Sequence, residues 1–200
     1  VIKEYFLNFA ALSSDFDIDL ASGEVTYIKN KAPAWKVKLV DTGDSTMTGG
    51  RLLRLRDVLK GEDSFMLTYG DGVADLDIRK LVSFHKEHKK IATVTAVRPA
   101  ARFGGMSIEG NRVNHFIEKP QGGEGWINGG FFVFNQGFFK YLENDQTILE
   151  RSPMERATEE NQLMAYKHDG FWQCMDTIRD RQLLEDHWTS GTAPWRVWGV

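Results

Sequence analysis

Apolar and polar positions alternate with several periods along this chain, and the changes of period mark its elements. Phe65-Met66-Leu67-Thr68-Tyr69 is largely apolar, without polar alternation, and ends in Gly70-Asp71-Gly72-Val73-Ala74-Asp75. That is the pattern of a strand buried on both faces. Asp71 therefore falls just past a carboxyl end, where open α/β sheets form their ligand crevice. After Asp75-Leu76-Asp77, residues Ile78, Leu81, Val82 and His85 share one helical face, and 91–97 is a second strongly β-prone run. This strand–helix–strand order predicts a right-handed crossover to a parallel neighbour and carries the α/β assignment.

The same reading extends to both ends. Ile2, Phe6 and Phe9 are spaced for a helix. Phe16-Asp17-Ile18-Asp19-Leu20 alternates as a half-buried strand and turns through Ser22-Gly23-Glu24 into Val25-Thr26-Tyr27-Ile28, a hairpin. Val37-Lys38-Leu39-Val40 reads as a short strand. Residues 41–50 read as a small-residue loop feeding a helix that carries Leu52, Leu55, Val58 and Leu59, and a helix start of that kind suits anions. Further on, 106–108 and 113–117 form a hairpin and 126–134 an apolar strand containing glycines. Helices are expected over 136–143 and after Ser152-Pro153, strands over 163–166 and 171–175, and a closing helix over 177–188.

Composition narrows the functional classes. Two hundred residues, 42% hydrophobic and 26% charged, suit one soluble domain. A net charge of −3 gives no reason to expect nucleic acid, and no apolar run approaches the roughly 20 residues of a membrane helix, so a cytoplasmic location is expected. The single cysteine, Cys174, excludes an internal disulfide and a cysteine-based zinc site, and the five histidines show no metal-ligand spacing.

The polar groups that packing does not explain are Asp71, Thr48-Gly49-Gly50-Arg51, Glu118-Lys119, Asn128-Gly129 and Asp176. Two carboxylates from separate strand ends can share Mg²⁺, and a lysine and an arginine can balance phosphate charge. Each group also has a plainer reading. Asp75 and Asp77 are helix caps or a D-x-D metal motif, Asn128-Gly129-Gly130 is a β-bulge or a ligand approach, and Trp172 fills core or faces a sugar.

Taken together, the segments Leu39-Val40-Asp41-Thr42-Gly43, Met47-Thr48-Gly49-Gly50-Arg51, Thr68-Tyr69-Gly70-Asp71-Gly72-Val73-Ala74-Asp75, Phe116-Ile117-Glu118-Lys119-Pro120, Ile127-Asn128-Gly129-Gly130-Phe131-Phe132-Val133 and Gly170-Phe171-Trp172-Gln173-Cys174-Met175-Asp176-Thr177 resemble the sugar nucleotidyltransferases. The resemblance is nearer to the bacterial glucose-1-phosphate cytidylyltransferases. It implies a glycosyltransferase-A-like, Rossmann-related three-layer sandwich with a mixed, mostly parallel sheet. It also implies transfer of a cytidylyl group from CTP to α-D-glucose 1-phosphate, giving CDP-glucose and pyrophosphate for dideoxysugar and O-antigen biosynthesis. By the family's pattern Asp71 and Asp176 hold Mg²⁺, Lys119 neutralises the sugar phosphate and Glu118 binds sugar hydroxyls. Asn128 and Gly129 line the sugar pocket, Gly70 and Trp172 adjoin it, and Thr48, Gly49, Gly50 and Arg51 face the nucleotide, with Thr42 or Asp41 a weaker candidate. A homo-oligomer is implied as well.

Three other readings compete: a dTTP- or UTP-dependent relative, a non-catalytic sugar-phosphate-binding module, and a glycosyltransferase using Asp75-x-Asp77. The family's opening strand, its G-G-x-G-T-R loop and the lysine after it have no counterpart here. The expectation from sequence is thus a single, N-terminally truncated nucleotidyltransferase domain with little or no activity alone.

Overall fold

The computed structural model describes residues 1–29, 33–99, 105–109, 112–117 and 125–198. The chain divides into two compact units, Val1–Thr42 and Gly43–Val200. In the first, helices α1 (Ile2–Leu7) and α2 (Phe9–Ser13) precede an antiparallel hairpin of β1 (Asp15–Ile18) and β2 (Val25–Lys29). Its turn is organised by Asp19, whose carboxylate accepts the N–H groups of Ala21 (2.8 Å) and Ser22 (3.2 Å), bonds that hold its pKa below the usual value. Residues 37–40 are not a strand; Val37 and Leu39 instead line a groove with Phe6, Phe9 and Trp35.

The second unit runs α3 (Thr48–Arg54), β3 (Ser64–Thr68), β4 (Gly72–Ala74), α4 (Ile78–His88), β5 (Ala92–Val97), β6 (Gly105–Glu109), β7 (Arg112–Ile117), β8 (Ile127–Asn135), a 3-10 helix (Gln136–Tyr141), α5 (Ser152–Glu159), β9 (Leu163–His168), β10 (Trp172–Cys174) and α6 (Ile178–Thr189). The main sheet has the order β3-β8-β5-β9. Strand β8 is antiparallel to both β3 and β5, while β5 and β9 are parallel. Strands β3, β5 and β9 therefore run one way and β8 alone runs back. The expected parallel relation of β3 and β5 holds, but they are not neighbours: β8 lies between them and makes the sheet mixed, with three of its four strands running one way.

Strand β8 sorts its side chains by alternation. Phe132 and Phe134 enter a core with Phe65, Phe138, Phe139, Tyr141, Leu149 and Leu52, whereas Val133 faces Leu81 and Leu76 on the α4 side. Aromatic stacking fixes the larger core, with Phe134 and Phe138 ring centroids 4.0 Å apart. The element bounds differ from the sequence expectation at two helices. Helix α3 begins at Thr48 and ends at Arg54, so the glycines form its first turn, and Leu55, Val58 and Leu59 follow it in turns. The segment after β8 is a short 3-10 helix.

On the α4 face, three side chains form a buried chain of hydrogen bonds. The Lys90 N–H donates to His88 Nδ1 (2.9 Å), which assigns the proton of neutral His88 to Nε2. That Nε2 donates to Thr93 Oγ1 (2.7 Å), leaving the Thr93 hydroxyl to donate to His85 Nδ1 (2.8 Å). Burial, with help from His88, lowers the His85 pKa to about 4.

Candidate active site

The cleft forms where a small ribbon meets the main sheet. Strand β4 pairs antiparallel with β10, with Trp172 opposite Ala74 and Cys174 opposite Gly72. One further bond extends the ribbon, from Met175 N–H to Asp71 O at 2.7 Å. Asp71 and Asp176 therefore leave the same end of the ribbon, and both line one cleft of about 140 Å³. Its other walls are Thr68 and Tyr69 from the end of β3, Asn128, Gly129 and Gly130 from β8, and Gly72, Trp172 and Cys174 from the ribbon.

The β8 wall is a bulge. Between the pairs Val94–Phe132 and Ala96–Asn128, β5 advances two residues while β8 advances four. Asn128 Oδ1 accepts the Gly130 N–H at 2.9 Å, and Gly130 has φ +76°, a left-handed conformation that suits glycine. Both glycines also serve close approach. A Cβ on Gly130 would lie 2.8 Å from the Tyr69 ring, and one on Gly129 2.7 Å from Val97. The Trp172 indole N–H donates to Gly129 O at 2.8 Å, pinning the ribbon to the bulge. The bulge reading of this segment holds, and the bulge is itself a wall of the cleft.

Tyr69 lines the cleft beside the bulge, from the end of β3. Its hydroxyl donates to Glu150 Oε1, and its ring meets Phe132 edge-on with centroids 5.7 Å apart. Burial, reinforced by Glu150, pushes the phenol pKa well up, so Tyr69 is protonated at neutral pH. The Cys174 thiol donates to Asp176 Oδ2 at 3.1 Å.

Of the residues singled out in the sequence, Asp71, Asp176, Asn128, Gly129 and Trp172 come together here, and Gly70 adjoins Asp71 in the chain. Glu118 and Lys119 lie outside the described residues. Gly49 and Gly50 are buried, their N–H groups donate to Thr147 O (2.9 and 3.1 Å), and a Cβ on Gly50 would lie 2.4 Å from Asp145 O. Packing thus accounts for both glycines. Arg51 donates to Asp44 O at 3.2 Å, and the Thr48 hydroxyl donates to Glu150 Oε2 at 2.9 Å. Tyr69, Thr68, Cys174 and Glu150 were not singled out from sequence. Thr68, Tyr69 and Cys174 stand inside segments that carry the family resemblance, which is the signal that could have found them, and nothing local marks Glu150. Among the described residues no group of three or more His, Cys, Asp or Glu side chains converges as a preformed metal cage.

The candidate D-x-D pair divides into two tasks. Asp77 caps α4, accepting the N–H groups of Arg79 (3.0 Å) and Lys80 (3.2 Å). Asp75 Oδ1 lies 2.9 Å from His168 Nε2, at the end of β9. Neither lines the cleft that holds Asp71.

Residues 29–184 match the family described as nucleotidyl transferase. The glucose-1-phosphate cytidylyltransferases of Salmonella typhi and Salmonella typhimurium are each 47% identical over 198 residues, covering 99% of this chain and 77% of theirs. A mannose-1-phosphate guanyltransferase of Hypocrea jecorina is 30% identical over 140 residues, covering 66% of this chain and 38% of its own. The crystal structure of HddC from Yersinia pseudotuberculosis shares the fold with a TM-score of 0.54 at 18% identity, over 72% of this chain and 63% of that one. The chain belongs to the nucleotidyl transferase family and, within it, to the glucose-1-phosphate cytidylyltransferases.

Proposed function

We propose that this protein transfers a cytidylyl group from CTP to α-D-glucose 1-phosphate. A phosphate oxygen of the sugar phosphate attacks the α-phosphorus of CTP in line. The new P–O bond forms as the bond to the β-phosphate oxygen breaks, and pyrophosphate leaves with that electron pair. The observation that carries the reading is the shared cleft of Asp71 and Asp176 against the Asn128-Gly129-Gly130 bulge. It combines two hard anionic donors with a wall of backbone and amide groups suited to a sugar.

The donor set fits Mg²⁺, which prefers carboxylate oxygen and commonly retains bound phosphates and waters instead of a full protein cage. Held by Asp71 and Asp176, Mg²⁺ would neutralise phosphate charge that develops during transfer. The chain's own groups bind and orient. Trp172 and the bulge form the sugar side, Lys119 and Arg51 balance phosphate charge, and Glu118 takes sugar hydroxyls. Catalysis on this account is alignment and charge compensation without a covalent intermediate. Cytoplasmic, homo-oligomeric operation in O-antigen sugar synthesis belongs to the same reading.

The test is turnover by the full-length enzyme. Asp71→Asn and Asp176→Asn should each lower kcat/KM for CDP-glucose formation on the order of a hundredfold or more, with melting temperature preserved. Wild-type rates in either variant would reject its role.

A further inference from the structure

Glu150 stands behind a wall of the cleft, bonded to the cleft-lining Tyr69, and the reaction above does not use it. It follows Leu149, which is 1% exposed and anchors the irregular stretch before α5 in the core. Both of its carboxylate oxygens are engaged, and by different elements. Oε1 accepts the Tyr69 hydroxyl at the end of β3, and Oε2 accepts the Thr48 hydroxyl at the start of α3, at 2.9 Å. Thr48 Oγ1 accepts in turn from Leu149 N–H at 2.9 Å, so the threonine hydroxyl is committed in both directions. The inner end of the Tyr69 residue is fixed by other means: its N–H donates to Gly130 O at 3.2 Å, and its ring lies where a Cβ on Gly130 would stand. Glu150, with Asn128 beside it, holds the outer end.

We propose that Glu150 is a positioning residue that holds the Tyr69 ring as a wall of the substrate cleft and couples that wall to the Thr48–Arg51 turn. This rests on the cytidylyltransferase reading. A hydrogen bond to a carboxylate is stronger than one between neutral groups, and here one carboxylate serves two hydroxyls whose elements are far apart in sequence. Tyr69 lines the cleft and is not one of the two proposed metal ligands, so movement of its ring reshapes the cleft. The expected signature is therefore on substrate binding more than on the chemical step.

The experiment compares Glu150→Ala, Glu150→Gln, Tyr69→Phe and the Glu150→Ala/Tyr69→Phe pair in the full-length enzyme. Glu150→Ala should raise KM for glucose 1-phosphate about tenfold, with kcat changing less, as expected for loss of a hydrogen bond to a charged group. Glu150→Gln, which keeps an acceptor and the side-chain shape, should recover most of the loss. The double variant should be no worse than the more impaired single variant. A second readout needs no turnover. Cys174 is the chain's one cysteine and lines the same cleft, so its rate of reaction with a thiol reagent should rise severalfold in Glu150→Ala and Tyr69→Phe. Additive effects on KM, or Cys174 labelling rates equal to wild type, would overturn the proposal. Absence of CDP-glucose from the wild-type enzyme would instead reject the cytidylyltransferase reading, and the labelling comparison would still decide the role of Glu150.

Discussion

Asp75 and Asp77 are two residues apart and do unrelated work. Asp77 caps a helix through two backbone N–H groups, a contribution of about 1 kcal/mol, so Asp77→Ala should lower the melting temperature by a few degrees and leave KM for the sugar phosphate unchanged. Asp75 lies beside His168 and crowds Gly170, where a Cβ would lie 2.3 Å from its carboxylate. From sequence both are acids beside a helix start, because a side chain's neighbour 93 positions away leaves no local trace. His85 shows the complementary case. Its place on the apolar face of α4 was legible, but its proton was not, because Thr93 and His88 set it through contacts across two elements. With a pKa of about 4 against 6.5 in an unfolded chain, His85 leaves the unfolded state binding more protons between these values. Stability contributed by neutral His85 is therefore fully present above pH 6.5 and is lost as pH falls towards 4, by up to about 3 kcal/mol. Urea unfolding should show that slope in the wild type and a weaker one in His85→Leu; identical slopes would contradict the relay.

At the scale of elements, α3 and β8 show how the sequence signals were split between packing and function. Thr48-Gly49-Gly50 reads as a small-residue loop, yet it is the first turn of a helix pressed onto the backbone at 145–147. Gly50→Ala puts a methyl group 2.4 Å from a carbonyl oxygen, a steric conflict with backbone that should cost about 2–3 kcal/mol. Chemical denaturation measures it, and a loss under 0.5 kcal/mol would show that the loop yields. In β8 the glycines did announce a break in the ladder, since glycine within a strand commonly marks a bulge. What they could not announce is the partner that pins it, the Trp172 indole. Trp172→Phe keeps the ring but loses that bond, and should weaken glucose 1-phosphate binding severalfold by calorimetry.

At the scale of the molecule, the α/β class and the cleft past β3 were legible in the order of apolar runs and in where Asp71 interrupts one, but β3 is an edge strand with Met66 58% exposed and not a strand buried on both faces, because an apolar run does not tell an edge from a centre. The position of β8 between β3 and β5 was not legible, because period gives each strand and is silent on insertion from a distant part of the chain. The gathering of Asp71 and Asp176 depends on the β4–β10 ribbon, a pairing across a hundred residues that only the segment order hinted at. The claim joining these scales is that this cleft serves a cytidylyl transfer. Its most direct test offers the full-length enzyme glucose 1-phosphate, Mg²⁺ and equal concentrations of CTP, UTP and dTTP, and separates the sugar nucleotides formed. The account predicts CDP-glucose as the dominant product, lost in Asp71→Asn. Formation of dTDP-glucose or UDP-glucose alone, or calorimetric binding of glucose 1-phosphate with no product, would contradict it.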